Sequence, residues 1–192
     1  MSEMSRATNY LLGLTMLYYT APKQADRKKN PVAWCSSIAP VEFLRAMDVL
    51  PLFPENHGAL IGARKMGVEL AEAAEMVGYA NDICSYVRVD IGHILTGKSP
   101  VDGLARPDFL VCCNNICSTV VKWYENLAHH FQVPLFLLDT PFNHGLQIPE
   151  YSLNYVEAQL REFIPRLEVV TGKQFDEQRF KEGARVSKQP PS

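Results

Sequence analysis

Short apolar runs that alternate with helical stretches constrain this chain more than any other feature. "PVAWCSS" (31–37) reads as a strand, and "PVEFLRAMDV" (40–49) reads as a helix opened by an early proline. "LPLFP" (50–54) is a second short strand. Residues 59–78, "ALIGARKMGVELAEAAEMVG", are rich in Ala, Glu, Leu and Met and read as one long helix that stops at Gly78. "NDICSY" (81–86) is expected to be a third strand or strand-end, and "VRVDIGHILTG" (87–97) a helix ending at Gly97. After the polar loop "KSPVDGLARP" comes the strand "DFLVCCNN" (108–115), then a helix with Val120, Tyr124, Leu127 and Phe131 on one face. "VPLFLLDT" (133–140) is a continuous apolar run of the kind that burial on both faces of a parallel sheet demands. Strand and helix in repeated succession argue an α/β fold: a three-layer, Rossmann-like parallel sheet with helices on its faces.

The two ends read as helical. "YLLGLTMLYYT" (10–20) is shorter than a bilayer span and is expected to be an amphipathic N-terminal helix, not a signal peptide; the basic linker "APKQADRKKNP" follows it. From about Pro149 onward the pattern is helical again, with sparse apolar residues at the end that need a partner. The expected organisation is therefore an N-terminal helix and linker over 1–30, an α/β domain over 31–148, and a helical segment over 149–192 that leads to an absent second domain. A composition of 47% hydrophobic and 21% charged residues, with a formal net charge of -2, gives no electrostatic reason for nucleic acid or an acidic membrane as partner. "TGKSP" lacks the leading glycine of a phosphate loop, so ATP is not expected to bind there.

Five cysteines are an odd number at spacings unlike a secreted disulfide framework, which favours the cytoplasm. Cys112 and Cys113 lie within a strand, where alternation sends one to each face of the sheet, and both read as core filler. Cys35, Cys84 and Cys117 each fall at or just past an expected strand end and before a helix, the place where α/β sheets gather ligands. Cys117 follows the loop-forming pair Asn114 and Asn115 and precedes Ser118, a good helix cap; Cys84 sits comparably before Ser85. The positive end of a helix favours a thiolate, which suits either residue to metal. Spacing alone leaves the choice between metal ligand and structural residue open, because no paired C-x-x-C or His-x-x-x-His supports it.

Taken together, "WCSSIAPVEFLRAMDVLPLFPENHGALIGA", "NDICSYVRVDIG", "PDFLVCCNNICSTVVKWYENLA" and "VPLFLLDTPF" resemble the catalytic subunits of 2-hydroxyacyl-CoA dehydratases and of the related ATP-dependent benzoyl-CoA reductases. The likeness is strong over about 31–142 and weaker through "LEVVTGKQFDE". It implies a [4Fe-4S] cluster held by three cysteines, with one iron open to substrate. Two of the three match Cys84 and Cys117; the third would lie in a second domain, and no cysteine follows Cys117 in this chain. The resemblance further implies an acyl-CoA substrate, a second catalytic subunit, and a separate ATP-dependent activator that delivers one electron, so that a ketyl radical expels the hydroxyl. The chain is then expected to be the N-terminal portion of a lyase subunit. The alternatives are a benzoyl-CoA reductase subunit or a non-catalytic partner fragment without a cluster.

Four further residues are site candidates. "FPENHGA" places Glu55 and His57 at the end of the second strand, and Ser36 and Ser37 end the first. A carboxylate and an imidazole at that crest suit proton transfer, and a serine suits hydrogen bonding to a hydroxyl or carbonyl oxygen. The simpler reading is that Glu55 and Asn56 only cap the helix that follows. His93, His129, His130 and His144 are expected to be surface or structural.

Overall fold

A computed structural model describes residues 3–188. In chain order the elements are α1 (Glu3–Gln24), β1 (Val32–Cys35), α2 (Val41–Arg45), β2 (Leu50–Leu52), α3 (Pro54–Ala63) and α4 (Gly67–Glu75). They continue as α5 (Ser85–Thr96), β3 (Phe109–Cys113), α6 (Ser118–Phe131), β4 (Leu135–Leu138), α7 (Glu150–Thr171) and α8 (Glu177–Ser187). The chain divides into two compact units. A helical unit holds the residues up to Arg27 and from Asn56 to Arg106; a sheet unit holds 28–55 and the chain from Pro107 onward.

In the sheet unit four strands pair in parallel in the order β2-β1-β3-β4. Register fixes which side chains share a face: Cys35 pairs with Val111 and Val111 with Phe136, while Trp34 pairs with Leu110. The first set, with Ala33 and Phe109, forms one core with Phe43, Leu44 and Met47 around α2 and with Phe163 and Leu167 of α7. Phe175 and Phe180, the latter on α8, close that core through ring contacts with Phe43. The alternate residues turn to the opposite face, where Trp34 meets Phe131 edge-on at 5.0 Å and the Cys112 thiol reaches the Val120 carbonyl. There α6 buries Val120, Trp123, Tyr124 and Leu127. Helices thus cover both faces, which is the expected three-layer α/β arrangement.

Several elements differ from the sequence reading, each for a local reason. Residues 59–78 are not one helix, because α3 ends in a Schellman turn: Met66 N–H bonds to the Ile61 carbonyl and Lys65 N–H to that of Gly62. Lys65 occupies the left-handed position at φ 57°, where glycine is the usual signal, so nothing in the composition announced the break. "NDICSY" forms no strand; its residues through Cys84 are a mostly exposed loop that leads directly into α5. The helix after β1 is only five residues long and turns at Asp48 (φ 55°), whose carboxylate binds Lys173 and Arg179. The run in β4 is not buried on both faces: β4 is a sheet edge, and Leu137 is 44% exposed. Helix α1 continues past Thr20 to Gln24; its apolar residues Tyr10, Leu11, Leu12, Leu14, Met16 and Leu17 are exposed, while Tyr19 is buried.

The helical unit packs α4 against α5 so closely at Gly92 that a Cβ there would lie 1.8 Å from the Leu70 carbonyl oxygen. Beside this contact, Tyr19, His57 and His93 are buried. The two imidazoles meet edge-on at 4.6 Å, with His57 Nε2 2.8 Å from Ser99 Oγ and His93 Nδ1 2.9 Å from the Lys98 carbonyl. Burial, reinforced by His93 and Lys23, pushes His57 down to about 3. An unfolded chain takes up a proton on this residue near 6.5, the folded one only near 3, so stability falls as pH drops through that window. His57→Gln should remove this loss: unfolding midpoints of the wild type should decline more steeply than those of the variant from about pH 7 to about pH 5. Parallel declines would show that the histidine titrates normally.

Candidate active-site crest

The sheet order places a topological switch between β1 and β3, since the chain leaves β1 toward β2 on one side and returns as β3 on the other. In open parallel sheets the crevice at the carboxyl ends of such a pair is the preferred ligand site. Ser36 and Ser37 leave β1, Glu55 opens α3 after β2, Asn114 follows β3, and Asp139 follows β4. The short turns that leave the parallel strands put a polar side chain at each of these ends.

Ser36 is fully buried and extends the sheet by one step. Its N–H donates to the Val111 carbonyl at 2.9 Å, and its Oγ accepts from the Cys113 N–H at 3.0 Å. Ser37 is exposed and donates its N–H to Glu55 Oε1 at 3.2 Å. The other carboxylate oxygen of Glu55 accepts from the Tyr124 hydroxyl of α6 at 3.4 Å. Glu55 is half-buried, and burial raises its pKa above the ordinary value while these donors oppose the rise. The strand-end thiols are held neutral: burial pushes Cys35 well up, Cys112 to about 12 and Cys113 to about 11.

On the β3–β4 side, Asn114 ties the two strand ends together. Its Oδ1 accepts from Thr140 N–H at 2.8 Å and Thr140 Oγ1 at 2.9 Å, and its Nδ2 donates to Asp139. Tyr155 of α7 donates to Asp139 Oδ2 at 2.7 Å, and Gln159 bonds both the Asp139 N–H and its carbonyl. Sequence reasoning missed Tyr124, Asp139, Tyr155 and Gln159; a polar residue immediately after each strand was the signal that would have found Asp139.

The cysteines separate as their sequence positions imply with one correction, Cys35, whose place at a strand end predicts the crevice shared with Cys84 and Cys117. Cys112 and Cys113 are buried, and Cys35, the last residue of β1, is equally buried in the core beneath α2, so it does not line an open crevice. Cys84 and Cys117 are exposed free thiols, each at the N-cap of a helix with no side-chain cap bond of its own. Thiol chemistry fits an iron–sulfur cluster, but among the described residues no group of three or more His, Cys, Asp or Glu is placed to hold a metal ion. His57 belongs to the helical unit and is fully enclosed there.

Residues 36–190 match the family described as 2-hydroxyglutaryl-CoA dehydratase, D-component. The chain belongs to this dehydratase family. It is 37% identical over 187 residues to the (R)-2-hydroxyisocaproyl-CoA dehydratase alpha subunit of Clostridioides difficile, covering 97% of this chain and 46% of that protein. It is 41% identical over 174 residues to the lactoyl-CoA dehydratase alpha subunit of Anaerotignum propionicum, covering 83% and 41%. A benzoyl-CoA reductase subunit of Thauera aromatica is 32% identical over 144 residues, covering 73% and 33%. The chain spans about half the length of the curated dehydratase relatives it matches. No helix among the described residues of this family member is long and apolar enough to cross a membrane.

Two measurements test this crest. A thiol reagent applied to the native protein should modify Cys84 and Cys117 promptly and the other three cysteines only after unfolding; rapid reaction of all five would contradict the burial described. Because Glu55 binds its proton more tightly when folded, it adds stability below its ordinary value of 4.5, and that contribution is lost as pH rises through the folded value. Glu55→Gln should therefore melt higher than the wild type at neutral pH, with the gain disappearing as the solution is acidified below about 4.5. An unchanged or lower midpoint at neutral pH would show that the carboxylate is not held at a cost.

Proposed function

We propose that this chain forms the Glu55-bearing part of a 2-hydroxyacyl-CoA dehydratase subunit, which eliminates water from a 2-hydroxyacyl-CoA. The observation that carries this reading is the convergence of the turn after β1 and of helix α6 on one half-buried carboxylate at the carboxyl end of the sheet, in a chain of this family. Glu55 then carries a proton at the departing hydroxyl, and burial raises its affinity for that proton above that of an ordinary carboxylate. The exposed Ser37 hydroxyl is positioned to hold a substrate oxygen. Ser36 takes a different role: with its Oγ already accepting from Cys113, it fastens the crest. His57, enclosed and neutral, holds the Ser99 segment and does not exchange protons with substrate.

Cys84 and Cys117 are read as two thiolate ligands of a [4Fe-4S] cluster, by their match to the family pattern and by their exposure at helix N-termini. When bound, such a cluster supplies a Lewis-acidic iron and a low-potential electron site. The family resemblance adds a second subunit and an ATP-dependent activator whose single electron allows elimination through a ketyl radical. A second reading, reduction of an aryl-CoA, rests on the relative named benzoyl-CoA reductase.

In the complete enzyme carrying this segment, Glu55→Gln should lower dehydration of a 2-hydroxyacyl-CoA by about a hundredfold, the scale of a lost general acid–base group, with iron content kept. Cys117→Ala should lose iron and acid-labile sulfide first. Undiminished dehydration by Glu55→Gln would reduce Glu55 to a helix-cap residue. Turnover of benzoyl-CoA with none of any 2-hydroxyacyl-CoA would favour the second reading.

A further inference from the structure

Tyr124 lies fully buried in the middle of α6, on the face that packs against the sheet, where a phenylalanine would fill the same space without bringing a hydroxyl that needs a partner. That hydroxyl reaches the far end of the strand layer and meets Glu55 Oε2, while the Ser37 N–H holds Oε1. The two donors come from opposite sides: one from the turn after β1, the other from the helix after β3. Between them they fix the plane of a carboxylate that the first turn of α3 alone would leave free to rotate. At 3.4 Å the tyrosine bond is long, as catalytic hydrogen bonds often are before a substrate draws them tight.

We infer that Tyr124 is a positioning residue for Glu55: its hydroxyl orients the carboxylate and adjusts its hold on the proton. The inference rests on the reading of Glu55 as the proton carrier. The thiols of Cys35 on β1 and of Cys112 on β3, which sense the Glu55 charge, are held in the neutral form by burial. The Tyr124 donor is therefore the side-chain group positioned to tune the carboxylate. It favours the ionised form, so its removal strengthens proton binding at Glu55.

The test uses the complete, cluster-loaded enzyme and its acyl-CoA substrate. Tyr124→Phe should retain iron content and KM, lower kcat by about threefold to tenfold, the range for one lost hydrogen bond of ordinary net strength, and move the acid limb of the rate profile to higher pH. A fluorinated tyrosine at the same position, a stronger donor of nearly the same shape, should move that limb to lower pH. In a Glu55→Gln background neither change should have a further effect. If Glu55→Gln alone leaves dehydration intact, the reading of Glu55 fails. If Glu55→Gln is impaired but both position-124 variants leave the acid limb unmoved, Glu55 stands and the inference about Tyr124 is overturned.

Discussion

The parallel pairing of β1 with β3 is the contact on which the rest of the structure depends. It places the strand order reversal at the centre of the sheet, and the ladder does not stop at the last residue of β1. Ser36 extends it with one backbone bond to Val111 and one side-chain bond from Cys113, both in a fully buried setting where an unmade bond is costly. With that step fixed, Ser37 emerges at a defined height and its N–H faces Glu55. A slip in this pairing would turn Cys35 and Val111 away from the Phe43 and Phe163 core and bring Trp34 into it, an exchange that neither face could absorb.

The electrostatics of the crest follow from its dryness. The thiols at the ends of β1 and β3 and the Glu55 carboxyl all have raised proton affinity, so burial and not ion pairing sets the character of this region. Glu55 lies in the first turn of α3, where the helix dipole and the backbone donors favour its ionised form, while burial works against it. The balance of these influences leaves Glu55 holding its proton more tightly than an ordinary carboxylate. On the neighbouring strand ends, Asn114 and Asp139 use their bonds differently. They tie β3, β4 and α7 together and give the loop that carries Cys117 a fixed root.

The helical unit reaches order by another route. One apolar cluster is built around Ile61, Leu70, Ala71 and Val89, and α4 and α5 approach closely at Gly92. The imidazoles of His57 and His93 are buried beside each other, and Lys23 donates to the carbonyls of Val101 and Asp102 at 2.9 and 2.6 Å. Asp102 and Gly103 both take left-handed backbone there, and a Cβ at Gly103 would lie 2.8 Å from the His93 ring. The buried His57 makes this unit sensitive to acid.

The sequence by itself determined the α/β class, the four strands that form the sheet, the burial of Cys112 and Cys113 on opposite faces, and the family, because each rests on local periodicity or on an ordered string of short motifs. The same residues named Ser37 and Glu55 as candidates, since polar residues just past a buried strand are legible from one segment alone. What only the tertiary structure decided was everything set by a partner distant in the chain. Lys65 ends a helix by adopting left-handed backbone without the glycine that would announce it; "NDICSY" has strand-like composition but no neighbour to pair with; and β4 is half exposed because it lies at the sheet edge. Tyr124 reads from sequence as a core aromatic, and its hydroxyl gains meaning only when folding brings Glu55, 69 residues away, within hydrogen-bonding distance. Periodicity reports which face of an element is buried, but the polar atom that a buried side chain meets is fixed by packing between elements, which no local pattern encodes.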